Sequence, residues 1–171
     1  MVKGVAVGLQ GLHQKGIIHL DVKPANFVFA GGRLKLIDFG IAKTMANPDN
    51  TKIARENTVG TVNYMSPEAI YGDDDGQHKQ GRASDVWSLG CTCIEMATQH
   101  PPFYRFKGDT AAFKVLESPA PKLPPGFSRE FNEFVNKCLT KDPILRAGLE
   151  QLSQLDFIKN APGPEALANL D

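Results

Sequence analysis

The sequence predicts an α+β fold, in which a mainly helical lobe carries one short β-hairpin. Residues 27–29 form a short apolar run, and residues 33–37 alternate after Gly31-Gly32, the pattern of two strands joined by a tight turn. Three other segments predict helices: residues 2–16 and 128–139 space their apolar residues at the helical period, and residues 85–98 are apolar almost all round. The chain has 171 residues, which is long enough for one domain with a substantial core.

Composition narrows the class of protein. The chain is 42% hydrophobic and its 19 acidic residues balance its 19 basic ones, so bulk charge predicts no partnership with nucleic acid. It contains no run of about 18 apolar residues, so we expect no membrane span, and its first residues do not resemble a signal peptide. The three cysteines predict free thiols in a reducing intracellular compartment. Cys91 and Cys93 lie two apart on a predicted helix and therefore face different ways, which argues against a metal site.

The first helix, residues 2–16, has an apolar stripe made by Val2, Val5, Leu9 and Leu12. Three glycines lower its intrinsic propensity, so packing must support it. Gly16 ends the helix.

The predicted hairpin brings chemically useful side chains together. Asp21 and Asn26 precede its first strand, and Asp38 follows its return strand, seventeen positions after Asp21. Pairing of the two strands places these positions side by side, with Lys23 between Asp21 and Asn26. Two carboxylates, an amide and an ammonium group suit a site for phosphate and Mg²⁺, which prefers oxygen ligands.

Two irregular stretches precede the predicted central helix. Residues 41–66 have little periodicity, which is typical of a functional loop. Residues 71–82 are polar and glycine-rich, and we expect a solvated loop because Asp73–Asp75 lack the alternation of a calcium loop. Ser84 is expected to cap a helix that is apolar all round and therefore central. The helix dipole would favour Asp85 in its first turn.

The C-terminal third is predicted to be helical. We expect a short helix near Asp109–Glu117, a proline-rich connector rather than a polyproline ligand, and an amphipathic helix that Ser128 starts. One last helix would carry Leu149, Leu152, Leu155 and Ile158. Residues 1–159 then form the domain, and residues 160–171 a loose tail.

Five motifs follow one another in a fixed order. They are Asp21-x-Lys23-Pro24-x-Asn26, Asp38-Phe39-Gly40, Gly60-Thr61 with Pro67-Glu68, Asp85-x-Trp87-Ser88-x-Gly90 and Asp142-Pro143-x-x-Arg146. This order and spacing resemble the C-terminal lobe of eukaryotic protein kinases. Residues 60–65, 24–27 and 36–42 more closely resemble the monopolar-spindle kinases, the dual-specificity kinases of the spindle checkpoint.

The resemblance implies Mg-ATP-dependent phosphoryl transfer to Ser or Thr, and also Tyr in a dual-specificity kinase, of protein substrates. Asp21 would be the catalytic base, and Lys23 would neutralise charge on the phosphoryl group of ATP. Asn26 and Asp38 would hold Mg²⁺, and Val28 would lie below the adenine ring.

The resemblance also implies supporting roles. Thr61 would dock the peptide, and Thr51, Thr58 and Thr61 are candidate phosphorylation sites. The remaining matched positions are structural: His19, Phe39, Glu68, Asp85 and Arg146. Asp85 would bind the catalytic-loop backbone, and Glu68 would pair with Arg146. The implied location is the cytoplasm or nucleus, at kinetochores if the subfamily resemblance holds.

Two departures from the kinase pattern matter. Leu20 stands where most kinases carry an arginine that grips a phosphate on the activation loop. The sequence also contains no glycine-rich loop, strand lysine or helix glutamate of an upper, N-terminal lobe. We therefore expect the isolated chain to be catalytically incompetent for lack of that lobe. The alternative is a non-catalytic binding module or scaffold. A hydrolase using Asp21 with His19 is disfavoured because apolar neighbours predict a packed core histidine.

Overall fold

The computed structural model describes residues 1–30, 33–37, 43–44, 62–71 and 78–162. Helices in these ranges are α1 (Val2–Gln14), α2 (Pro67–Tyr71), α3 (His78–Thr98), α4 (Gly108–Glu117), α5 (Arg129–Cys138), α6 (Leu149–Ser153) and α7 (Asp156–Lys159). The strands are β1 (Ile17–Ile18), β2 (Phe27–Ala30), β3 (Arg33–Leu36) and β4 (Lys43–Thr44). Two 3-10 turns span Pro24–Asn26 and Val62–Tyr64. The predicted α+β class is confirmed.

The two predicted strands pair as a hairpin, and the predicted Gly31-Gly32 turn itself lies outside the described residues. Strands β2 and β3 pair antiparallel from Phe27 with Leu36 to Ala30 with Arg33. One more bond extends the ladder at its open end, where the Ile37 amide donates to the Asn26 carbonyl at 2.9 Å. Asn26, at the end of the loop between β1 and β2, therefore sits beside the residue that precedes Asp38 in the sequence. A second two-stranded sheet, formed by β1 and β4, was not predicted because each strand has only two residues.

Helix α3 is the centre of the fold, as its composition predicts. Every residue from Ser84 to Ile94 is buried, and Trp87 and Leu89 are completely inaccessible. Helices α1 and α5 pack on it, and Val5 and Leu9 of the predicted α1 stripe join the same core. A helix surrounded on all sides supplies a rigid post from which polar side chains can be held in fixed positions.

The start of α3 was predicted wrongly. The helix begins at His78, so Ser84 is not its cap and residues 78–82 are not a loop. Tertiary contacts override the low propensity of this stretch. A Cβ atom on Gly81 would lie 2.6 Å from Ile18 Cδ1, and Arg82 Nη2 donates to the His13 carbonyl at 2.8 Å. Residues 72–77, including the acidic run Asp73–Asp75, lie outside the described residues.

The C-terminal elements match the prediction with one exception. Ser128 caps α5, because its hydroxyl accepts from the Phe131 amide at 3.2 Å. The predicted last helix is two helices, α6 and α7. The backbone is extended at Leu155, and the bend lets the Phe157 ring stack on Phe131 with centroids 4.7 Å apart. The packing of these aromatic rings therefore interrupts the single helix that the spacing of the leucines predicts. Most of the predicted tail, residues 163–171, lies outside the described residues.

The three cysteines are free and buried, as predicted. Burial raises the pKa of Cys91, Cys93 and Cys138, so each thiol stays protonated. The part of the chain that the structure describes holds no cluster of three His, Cys, Asp or Glu side chains placed for a metal ion. Among the same residues, no helix is both long and apolar enough to cross a membrane.

Gly90 provides a test of the α3–α5 packing. A Cβ atom there would lie 2.7 Å from Leu139 Cγ and 2.8 Å from Cys138 Cβ, so Gly90→Ala should destabilise by about 1–3 kcal/mol despite the better helix propensity of alanine. The control is Gly8→Ala in α1, where nothing lies within 4 Å and up to about 1 kcal/mol of stabilisation is expected. Urea unfolding measures both. Equal effects of the two substitutions would contradict this packing.

Candidate active site

The loop between β1 and β2 brings three predicted site residues together. The 3-10 turn Pro24–Asn26 directs the Asn26 amide back to Asp21, where Nδ2 donates to the main-chain carbonyl and to Oδ2, both at 2.8 Å. Lys23 Nζ lies 2.8 Å from the same Oδ2 atom. Asp21 and Asn26 are buried, and Lys23 is partly exposed. The carboxylate, ammonium and amide thus form one cluster.

The two oxygens of Asp21 have different surroundings. Oδ2 is occupied by Lys23 and Asn26, whereas Oδ1 is buried and has no hydrogen-bond partner among the described residues. A buried acceptor without a partner is uncommon in folded proteins and often marks a functional group. The cluster therefore leaves one carboxylate oxygen able to accept a proton or a hydrogen bond.

His19 connects the catalytic loop to the end of the hairpin. Its ring is completely buried, as predicted for a core histidine. The Asp21 amide donates to Nδ1 at 3.2 Å, so Nδ1 is an acceptor. Nε2 then carries the proton and donates to the Ile37 carbonyl at 3.2 Å. The ring joins the backbone at Asp21 to the residue before Asp38.

Asp85, on α3, binds the backbone of the same loop. Its Oδ2 accepts from the His19 amide at 2.9 Å, and Oδ1 accepts from the Leu20 amide at 2.7 Å. The predicted contact with the catalytic-loop backbone is therefore present. The helix-dipole explanation is wrong, because Asp85 lies in the interior of α3 rather than in its first turn. Leu20 has φ of 65°, a left-handed conformation that costs about 1–2 kcal/mol for an L-residue, and the carboxylate stabilises it.

Two further polar contacts in this region were not predicted. His13 Nε2 donates to Asp85 Oδ2 at 2.8 Å, and Thr92 Oγ1 donates to the Val22 carbonyl at 3.3 Å. His13 could have been found from the sequence, because it lies four positions after Leu9 on the buried stripe of α1. Thr92 carries no such signal, since it is one of several polar residues within the buried stretch 84–94 of α3.

Glu68 and Arg146 form the predicted ion pair. The guanidinium binds both carboxylate oxygens, Nη1 to Oε1 at 2.6 Å and Nη2 to Oε2 at 3.0 Å. Arg146 also donates to three main-chain carbonyls and lies over the Trp87 ring. The Ser84 hydroxyl donates to Glu68 Oε1 at 3.0 Å. These contacts link α2 to α3 and to the segment before α6.

The turn Val62–Tyr64 is fixed to α3 by tyrosine. The Tyr64 hydroxyl donates to Glu95 Oε2 at 2.6 Å, and the Tyr64 carbonyl accepts from Ser88 Oγ at 2.8 Å. Burial and the bond to Glu95 raise the pKa of Tyr64, so the phenol stays neutral. Sequence reasoning did not identify this pair, because the two residues lie far apart in the chain.

Of the remaining predicted site residues, only Val28 lies within the described part of the chain. Val28 lies on β2 and is 39% exposed, as a contact surface for a ligand would require. Five others lie outside the described residues: Asp38, Phe39, Thr51, Thr58 and Thr61. Their predicted roles stay predictions.

A comparison with known families complements this geometry. The family model of the protein kinase domain matches residues 1–158. The chain belongs to the protein kinase family. The mainly helical structure with its hairpin accordingly represents the C-terminal lobe architecture of a kinase.

Three curated relatives specify the similarity. The chain is 43% identical over 154 residues to the probable serine/threonine-protein kinase mps1 of Dictyostelium discoideum, which covers 86% of this chain and 16% of the relative. It is 37% identical to the mouse dual specificity protein kinase TTK, over 90% of this chain and 19% of the relative. It is 41% identical to human mitogen-activated protein kinase kinase kinase 5, over 92% of this chain and 11% of the relative. The resemblance to the monopolar-spindle kinases is confirmed, and the chain spans less than a fifth of these relatives.

The support given by Asp85 can be tested by Asp85→Asn. An amide offers one acceptor oxygen where the carboxylate offers two, so at least one buried donor loses its partner, and about 3 kcal/mol of stability should be lost. Urea unfolding measures the change, with Glu117→Gln on the exposed end of α4 as the control, expected within about 0.5 kcal/mol. A loss no larger than that of the control would exclude the anchoring role.

Proposed function

We propose that this kinase lobe transfers the terminal phosphoryl group of ATP to Ser or Thr of protein substrates, with Asp21 as the catalytic base. The observation that carries the proposal is the difference between the two carboxylate oxygens of Asp21. Oδ2 is held by Lys23 and Asn26, whereas Oδ1 is buried without a partner among the described residues. A substrate hydroxyl that donates to Oδ1 would be oriented for attack and would pass its proton to it.

Lys23 and Asn26 have complementary tasks in this proposal. The Lys23 ammonium lies beside the base and is partly exposed, so it can reach a phosphoryl oxygen of the substrate and offset the negative charge there. Asn26 uses both donor bonds of its amide nitrogen on Asp21, which fixes the side chain and leaves its oxygen without a hydrogen bond among the described residues. The same contacts hold Asp21 in one orientation.

The donor set fits Mg²⁺, the ion that protein kinases generally use with ATP. Asn26 Oδ1, together with the carboxylate of Asp38, would hold the ion, since amide and carboxylate oxygens are suitable ligands. When bound, Mg²⁺ supplies charge neutralisation on the phosphates. Val28, half-exposed on β2, is available to contact the adenine ring of ATP.

The subfamily resemblance extends the proposal. The mouse relative is named a dual specificity kinase, which supports Tyr as an additional acceptor. We propose an intracellular role, at kinetochores, on the same basis. A non-catalytic scaffold remains the competing function, and the complete Asp21, Lys23 and Asn26 cluster favours catalysis over it, because a scaffold does not require a base with an unoccupied oxygen.

The proposal is tested with this chain joined to the upper lobe of a monopolar-spindle kinase. The fusion should phosphorylate a Ser/Thr peptide in the presence of Mg-ATP, and the isolated 171-residue chain should not, because the upper lobe provides the other wall of the ATP cleft. Asp21→Asn in the fusion should lower kcat by about 10²–10⁴-fold while stability changes by less than about 1 kcal/mol. Radiolabel transfer and urea unfolding measure the two quantities.

Two results would count against this function, and a third would count against the expected incompetence of the isolated chain. An unchanged kcat in Asp21→Asn excludes Asp21 as the base, and an inactive but folded fusion favours the scaffold. Robust turnover by the isolated chain refutes its expected incompetence. Glu133→Gln, an exposed acid on α5, is the matched control and should leave kcat unchanged.

A further inference from the structure

The loop between α3 and α4, residues 99–107, is held in one conformation. Pro102 is buried, and its carbonyl accepts from Asn63 Nδ2 at 2.9 Å. The Phe106 amide donates to the Phe103 carbonyl at 2.8 Å. Gln99 and Phe103 have φ of 65° and 57°, which L-residues adopt only where the surroundings impose it. The loop therefore presents its side chains on a rigid backbone.

This loop displays an ordered group of aromatic and cationic side chains. The rings of His100 and Tyr104 stack with centroids 4.2 Å apart and planes at 11°. Arg105 Nε donates to the Tyr104 hydroxyl at 3.1 Å, and its guanidinium carbon lies 5.6 Å from the centre of that ring. All three residues are exposed, and 43% of Tyr104 is accessible. An aromatic stack that packing leaves in solvent is available to a partner.

The charged side chains around the stack are mainly positive. Residues 99–114 contain three cationic side chains, Arg105, Lys107 and Lys114, against one acid, Asp109, whereas the whole chain is balanced. Lys114 Nζ lies 5.3 Å from the centre of the Phe106 ring, so this cation is directed towards the loop. The nearby acid of α3, Glu95, is already engaged by Tyr64. A partner with carboxylates complements this surface.

The loop is also connected to the predicted substrate segment. Asn63, which binds the Pro102 carbonyl, belongs to the turn Val62–Tyr64, next in sequence to the predicted peptide-docking Thr61. A segment that lies on the loop would therefore run beside the place where a substrate peptide is expected.

We propose that residues 99–107 and the start of α4 form a docking surface for an acidic peptide segment of a partner protein. An apolar or aromatic side chain of the peptide packs on the His100–Tyr104 stack, and its carboxylates pair with Arg105 and Lys107. This surface lies outside the Asp21 cluster, and occupation of it needs no phosphoryl transfer. A binding experiment therefore separates failure of this inference from failure of the proposed kinase activity.

The experiment is fluorescence anisotropy of the 171-residue chain with a labelled random copolymer of Glu and Tyr, at about 0.1 M salt, where surface charges still interact. Arg105→Glu should weaken binding about tenfold, because attraction becomes repulsion, and Tyr104→Ala about fivefold through loss of the stack. Lys107→Glu provides a second charge reversal and should weaken binding several-fold. Lys137→Glu, at an exposed cation on α5, should change it less than about twofold.

Folding of each variant is checked by circular dichroism, and loss of one variant leaves the others to decide. Equal weakening by Lys137→Glu and by the loop reversals would overturn the inference, because binding would then follow net charge alone. It would also be overturned by absence of binding, or by polyglutamate binding as tightly as the copolymer, since no aromatic contact would be involved. If heparin binds and Arg105→Glu weakens its binding to the same extent, the surface binds polyanions in general, and the inference of a peptide site is overturned.

Discussion

The buried carboxylate of Asp85 is the interaction on which the site depends. It accepts hydrogen bonds from the His19 and Leu20 amides and from the His13 ring, so one side chain of the central helix joins α1 and the catalytic loop. A buried charge is tolerated only when its hydrogen bonds are satisfied, and these three donors meet that condition. The left-handed backbone at Leu20 is a consequence, because both neighbouring amides must point at the same carboxylate.

A short series of hydrogen bonds connects Asp85 to Asp21 and fixes its position. His19 receives the Asp21 amide on one ring nitrogen and donates to the Ile37 carbonyl with the other, so a single ring aligns the loop with the hairpin. Asn26 and Lys23 then hold one oxygen of Asp21. The Glu68–Arg146 pair and the Tyr64–Glu95 bond secure α2 and the turn before it. The central helix thus orients both Asp21 and the turn next to the predicted peptide-docking Thr61.

The Leu20 position distinguishes this chain from kinases that carry arginine there. In the structure, the contribution of residue 20 to the site is its amide, which binds Asp85, and an amide is independent of the side chain. The architecture of the catalytic loop therefore does not require the arginine.

The sequence by itself determined the hairpin, the stripe of α1, the amphipathic α5 and its Ser128 cap, and the set of side chains around Asp21. These features follow from contacts within a few residues, such as strand alternation, helical period and capping, which a linear pattern records. The tertiary structure decided the start of α3 at His78, the break at Leu155 and the partners of Tyr64, His13 and Thr92. Each of these depends on groups distant in sequence, such as Ile18 against Gly81 or Phe131 against Phe157, and local propensity is too weak to oppose such packing.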